Sequence, residues 1–251
     1  MWRKTVFSTF LLFTIFSASA QKAMKKSADV RDYLYKKEIS FGLRLQSNGF
    51  SLYGEYGWIK DIYKTRLIQI EYNYFVNYQQ KRTKSLVQNG RAFNFGVQNR
   101  FHAIRVSGGI KRTIADKAAR NGVRLSYSAF GGISLGLVKP YYLMLVQPTD
   151  GVLEIKPERY SEGNASRFLS LDSIVQAAPI RYGLGQIEPV PGIHGKFSLD
   201  FDWGSRDQMV KALEAGIMLD LYYKRIPVMV NKSNRFYQIG LYLAFHLGKR
   251  W

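Results

Sequence analysis

The chain has 251 residues, a formal charge of +19 and a pI near 10, and it contains no cysteine. The missing thiols exclude disulfides, a cysteine-linked lipid anchor and thiol catalysis. The length suits one domain with a substantial core or one small-to-medium barrel, and no linker divides it.

Met1 to Ala20 opens with Arg3 and Lys4, continues with an apolar stretch from Phe10 to Phe16, and ends in Ser17-Ala18-Ser19-Ala20-Gln21. That is the pattern of a signal peptide cleaved after Ala20. The apolar stretch falls short of the ~20 residues a helix needs to span a bilayer, so a helical anchor is not expected. Cleavage leaves 231 residues and a charge of +17. Residues 21–36 then form a basic periplasmic segment and 37–251 the folded body.

Period-two alternation recurs along the body, and only a strand places every second residue on one face. Ile39, Phe41, Leu43 and Leu45 oppose Ser40, Gly42, Arg44 and Gln46; Phe50, Leu52, Tyr56 and Trp58 oppose Ser51, Tyr53, Glu55 and Gly57. Asn48-Gly49 between them is a strong hairpin signal. Ile68, Ile70, Tyr72 and Tyr74 form the third apolar register, Phe93, Phe95 and Val97 the fourth, and Ile104, Val106 and Ile110 the fifth. The sixth runs from Val123 through Leu125, Tyr127, Ile133 and Leu135 to Leu137. Tyr141 to Gln147 follows Lys139-Pro140 and is apolar on both faces. Later come Ile193 to Trp203 and Leu213 to Leu221, where Val210, Leu213 and Ile217 would also suit a helix that Gly216 weakens. Last come Tyr237, Ile239, Leu241, Leu243, Phe245 and Leu247, close to the terminal Trp251.

With Tyr141 to Gln147 included there are ten strands, the favoured count for a transmembrane antiparallel up-and-down β-barrel; eight is the alternative. Ten strands place short turns at 60–64, 99–102, 138–140 and 204–207 on the side of the termini. Longer connections at 79–90, 114–122, 148–191 and 224–234 then fall on the other side. Eight strands, with the Tyr141 segment not crossing, would return 148–191 to the side of the termini. A soluble barrel or β-sandwich would give the same alternation with the apolar face turned inward. The membrane is favoured because the other register mixes Arg44, Glu55, Glu71, Arg105, Lys111, Arg124, Lys196, Asp200, Glu214 and Asp220 with Gly and Ser, which fills a narrow polar lumen.

Ala18-Ser19-Ala20-Gln21, the tyrosine-rich hairpins and the ending from Leu241 to Trp251 resemble the small outer-membrane β-barrel proteins of the Bacteroidota. The resemblance implies an integral outer-membrane barrel, of which some members are accessory subunits of secretion or barrel-assembly machines. The C-terminal run also resembles the signal read by the barrel-assembly machinery, with Trp251 lying beyond the apolar strand.

The expected partners are outer-membrane lipid and lipopolysaccharide, with Lys22, Lys25, Lys26, Lys36, Lys37, Lys249 and Arg250 as a basic collar against lipid phosphates. The barrel-assembly machinery is expected during insertion, and other envelope proteins through the loop at 148–191. The basic residues are scattered rather than stacked on one helix, so nucleic acid is not expected. In that loop Asp150, Glu154, Glu158, Glu162, Asp172 and Glu188 outnumber Lys156, Arg159, Arg167 and Arg181, giving −2 in a basic chain. A connection of this length reads as a partner-binding loop or a cap.

His102, His194 and His246 lack metal-ligand spacing. His102 is expected in a turn and the other two in the lumen. No catalytic, cofactor-binding or metal-ligating residue is assigned and no cofactor is expected. The expected function is a structural or accessory role in a cell-envelope complex. The alternatives are a hydrolase of lipid A or protein, built on His246 with Ser198 or Glu214, and a narrow pore.

Overall fold

The computed structural model describes residues 35–251, apart from 62, 77–79, 86, 88–89, 118–121, 150–151, 205–207 and 231–233. The expected signal peptide, most of the expected basic N-terminal segment and Lys22, Lys25 and Lys26 of the expected collar therefore lie outside the described residues. Among the described residues there are thirteen strands: β1 (Lys37–Gln46), β2 (Gly49–Asp61), β3 (Lys64–Phe75), β4 (Lys81–Thr83), β5 (Phe93–Phe95), β6 (Asn99–Ala115), β7 (Arg124–Pro140), β8 (Tyr142–Thr149), β9 (Val152–Arg159), β10 (Ile174–Ala177), β11 (Glu188–Asp202), β12 (Met209–Ile226) and β13 (Arg235–Arg250).

Eight of them close a barrel in the order β1, β2, β3, β6, β7, β11, β12, β13, with β13 pairing back onto β1. Each ring strand pairs antiparallel with the next in this order, so the barrel is an up-and-down meander. Closure leaves no unpaired edge in the ring. The first hairpin turns at Ser47 and Asn48, and Gly49 follows with φ of +150°. A Cβ there would stand 2.0 Å from the Tyr74 carbonyl oxygen, so only glycine fits.

The ten-strand expectation is corrected to eight. The Phe93 segment forms only a short hairpin with Lys81–Thr83, and the Tyr141 segment becomes the centre of a separate sheet ordered β10, β8, β9. Neither crosses the wall: Phe93–Phe95 is only three residues long, and Tyr142–Thr149 has both edges taken by β9 and β10, so neither pairs with a ring strand. The expected turn at 99–102 is the start of β6, and 138–140 is the end of β7. Val210, Leu213 and Ile217 lie in strand β12 rather than a helix.

The ring has two ends. The proximal end holds both ends of the described chain, where the Lys37 and Trp251 backbones bond to each other, together with the connections 62–63, 116–123 and 203–208. The connection at 114–122 was expected opposite the termini and instead lies beside them. The distal end holds the turn at 47–48 and the connections 76–98, 141–187 and 227–234. Two segments, not one, drop out of the ring, so the parity of crossings is preserved. The long connection stays opposite the termini even with eight strands.

The outer wall carries the apolar register: Phe41, Leu43, Ile70, Val106, Ile133, Phe197, Leu219, Leu241 and Leu243 are all exposed. Aromatic clusters bound this band. Proximally Tyr56 packs edge-on against Trp58 and Trp251, at 4.8 and 6.3 Å between centroids. Distally Tyr74 lies 5.5 Å from Phe50 and 4.9 Å from His102.

Candidate functional site

The inner wall reverses this chemistry. Arg44 and Arg105 are fully buried, and Glu55, Glu71, Lys196, Asp200, Glu214 and Asp220 are buried with them. All eight sit on the face the alternation assigned to the lumen. Removing a charge from water costs several kcal/mol unless it is paired and hydrogen-bonded, and pairing is what the ring register supplies.

Arg44 on β1 is paired with Glu71 on β3 and reaches Glu214 on β12 at 3.4 Å. Arg105 on β6 takes the other Glu71 oxygen at 2.6 Å and grips Asp220 through Nε at 3.0 Å and Nη2 at 2.6 Å. His194 Nδ1 meets the same Asp220 at 2.9 Å. Lys196 lies 3.3 Å from Glu214 and 3.8 Å from Glu55. The Arg44 guanidinium is sandwiched between the Tyr53 and Tyr242 rings, 4.4 and 4.5 Å from their centroids. Both phenols also donate to Glu214, at 3.3 and 2.5 Å. Gly42 makes room for this stack, since a Cβ there would be 2.4 Å from the Tyr53 ring.

Distal to the ionic layer, Phe75, Phe101, Ala103, Val138, Val190, Tyr222 and Ile226 form an apolar plug across the lumen. Proximal to it lies a second charged tier. Arg250 pairs with Glu38 at 2.7 Å and Asp202 at 3.0 Å, Lys111 with Glu38 at 3.3 Å, and Arg124 with Asp116 at 3.0 Å. Arg250 was expected in the lipid-facing collar, and the structure corrects this: it continues the inward register of His246 and Gly248 and is buried. A cavity of about 410 Å³ reaches from the proximal rim, at Tyr35, Trp58 and Lys60, down to Asp200 and His246.

The Ser/His/acid set is not assembled as a triad. His246 Nδ1 bonds the Tyr53 hydroxyl at 3.0 Å, while Ser198 Oγ is buried without a hydrogen-bond partner. His194 is tied to Asp220, and His102 lies on the outer wall within β6, its Nδ1 2.7 Å from the Tyr72 hydroxyl. Sequence reasoning missed Glu38 and Arg250 as lumen residues, although both obey the period-two register of their strands.

The distal connections fold together. Phe93 and Val97 from the first, and Tyr141, Leu143, Leu145, Phe168, Ile174 and Ala177 from the second, form a buried apolar core, against which Val230 of the third packs. Backbone bonds stitch them: Ala177 N to Arg91 O at 3.2 Å, Tyr141 N to Gln98 O at 3.0 Å, and Val230 N to Gly96 O at 3.0 Å. The segment expected as a loop at 148–191 is thus largely part of a folded cap, and Pro189 and Pro191 already belong to β11.

A closed ring with an apolar outer wall between aromatic girdles and an ion-paired lumen defines a transmembrane β-barrel of the outer-membrane type. In structure the chain is similar to Neisserial surface protein A, with 9% identity, a TM-score of 0.40, and coverage of 86% of this chain and 94% of that one. It is similar to Ail, the attachment invasion locus protein of Yersinia pestis, solved with the heparin analogue sucrose octasulfate, at 8% identity, a TM-score of 0.40, and coverage of 86% and 96%. The N-terminal β-barrel domain of Pseudomonas aeruginosa OprF aligns at 7% identity, a TM-score of 0.32, and coverage of 84% and 96%. No protein-family model and no curated protein matches the sequence.

Proposed function

We propose that this chain is an integral outer-membrane barrel, oriented with its proximal end to the periplasm, that serves as a structural or accessory subunit of a cell-envelope complex and docks its partner through the distal cap. The observation that carries this reading is the cap itself. It has its own buried core, yet leaves Leu153 and Ile180 73% and 71% exposed, with Ile155, Leu171 and Leu184 also uncovered. Apolar side chains held in water on a folded surface favour a protein partner. The apolar plug across the distal lumen supports a non-conducting barrel over a narrow pore.

Outer-leaflet lipid is the second partner in this reading. Arg100 and Lys139 are directly opposite each other in the outward register near the distal girdle, where Lys139 is buried beneath the cap and donates to the Ile180 carbonyl at 2.5 Å, and no acid among the described residues pairs with either. Like charges so placed repel, and a lipid phosphate between them relieves the repulsion. The final strand, from Leu241 to Leu247, is the element offered to the assembly machinery during insertion. The reading is tested by purifying the barrel in mild detergent with and without Leu153→Ser and Ile155→Ser. The partner should be lost in the variant; an unchanged set of co-purifying proteins removes the cap from the proposal.

A further inference from the structure

Asp200, Glu214 and His246 come from three successive strands, and each offers one donor atom to a group whose members all lie within 4.8 Å of one another. Register explains the meeting. Asp200 on β11 is directly opposite Glu214 on β12, and His246 on β13 is opposite Ala212, one inward step from Glu214.

Two carboxylates facing each other on a buried wall repel, and each needs a counter-charge. Glu214 has Lys196 and Arg44. Asp200 is 4% exposed and accepts the Ser128 hydroxyl at 2.5 Å. Among the described residues it is the one buried acid without an ion pair, whereas Glu38, Glu55, Glu71, Asp202, Glu214 and Asp220 each have one. His246 is 1% exposed, and its Nε2 has no hydrogen-bond partner while Nδ1 is held by Tyr53. A carboxylate with no direct ion pair and an imidazole with one unpartnered nitrogen thus belong to one cluster. Both line the floor of the cavity that opens at the proximal rim. Of the cations lining that route, Lys111 and Arg250 share Glu38, Arg250 also meets Asp202, and Arg124 pairs with Asp116, while Lys36, Lys37 and Lys60 line its mouth.

We propose that Asp200, Glu214 and His246 bind a divalent transition-metal ion of the zinc class, which enters through the proximal cavity and ties β11, β12 and β13 together. One imidazole and two carboxylates form a donor set suited to Zn²⁺, whereas Ca²⁺ and Mg²⁺ favour larger all-oxygen shells. The ion places a positive charge in direct contact with Asp200, beside the opposed Glu214, and gives Nε2 a partner.

The test is calorimetric titration of ZnCl₂ into the tag-free, chelator-stripped protein in detergent, with melting followed in parallel. One Zn²⁺ per barrel and a raised Tm are expected. Asp200→Asn and His246→Gln should each weaken binding roughly tenfold or more, and His102→Gln on the outer wall should leave it unchanged. X-ray absorption of the zinc-loaded wild type, which does not depend on any variant folding, should read a single imidazole with the remaining ligands oxygen. The proposal is overturned by a folded wild type that binds no stoichiometric zinc, by undiminished binding in both folded variants, or by a shell holding no imidazole or more than one.

Discussion

Arg105 holds Asp220 through two parallel hydrogen bonds, at 3.0 and 2.6 Å, across the sealed centre of the lumen. The two residues lie 115 positions apart, on β6 and β12, which are not neighbours in the ring. The pair therefore bridges the lumen itself. Arg105→Ala would leave Asp220 and one Glu71 oxygen without their guanidinium partner. Loss of about 3–5 kcal/mol is expected in urea unfolding of the barrel in detergent or lipid. The double change Arg105→Met with Asp220→Leu should cost less than Arg105→Ala, because it leaves no orphaned charge on Asp220.

The outer wall responds to the opposite chemistry. Ile70 sits mid-band, opposite Gly54 on one side and Val106 on the other. Ile70→Arg should destabilise the lipid-embedded barrel by about 2–4 kcal/mol, and much less at the band edges. Equilibrium folding into vesicles measures this, and an effect near zero would count against a lipid-facing band at Ile70.

Cap and barrel should lose order separately. Phe168 is fully buried in the cap core, with its ring 5.5 Å from that of Tyr160. Phe168→Ala should cost the cap about 3–5 kcal/mol. Hydrogen exchange should accelerate through 93–97, 141–187 and 227–230 and stay slow in β1–β3. Uniform acceleration across both regions would show that cap and barrel form one cooperative unit.

Orientation has its own measurement. An epitope inserted at Gly163, where a side chain would meet open space, should be labelled by antibody on intact cells. A tag following Trp251 should be labelled only after the outer membrane is opened. Reversed labelling would invert the proposed orientation.

Much of the barrel was legible in the sequence because inward and outward positions follow from a period of two, a local property of the chain. That rule put Arg44, Glu71, Arg105, Lys196, Glu214 and Asp220 on one face, and their charge mixed with Gly and Ser, rather than the alternation, assigned that face to the lumen and the face from Ile39 to Leu247 to lipid. Alternation names a strand but not its partner. Phe93–Phe95 alternates like a ring strand and Tyr142–Thr149 is apolar on both faces, and only their contacts with each other and with Phe168 and Ile174 place them in the cap. Strand number is therefore a long-range property, decided by which strands take each other's edges. The same limit applies to the chemistry of the lumen. The sequence determined that His246 and Asp200 point inward, but ring closure decided that Tyr53 takes Nδ1, that Arg250 turns from lipid to Glu38, and that Asp200 is the one buried acid among the described residues without a direct ion pair, because those neighbours lie on strands far apart in the chain.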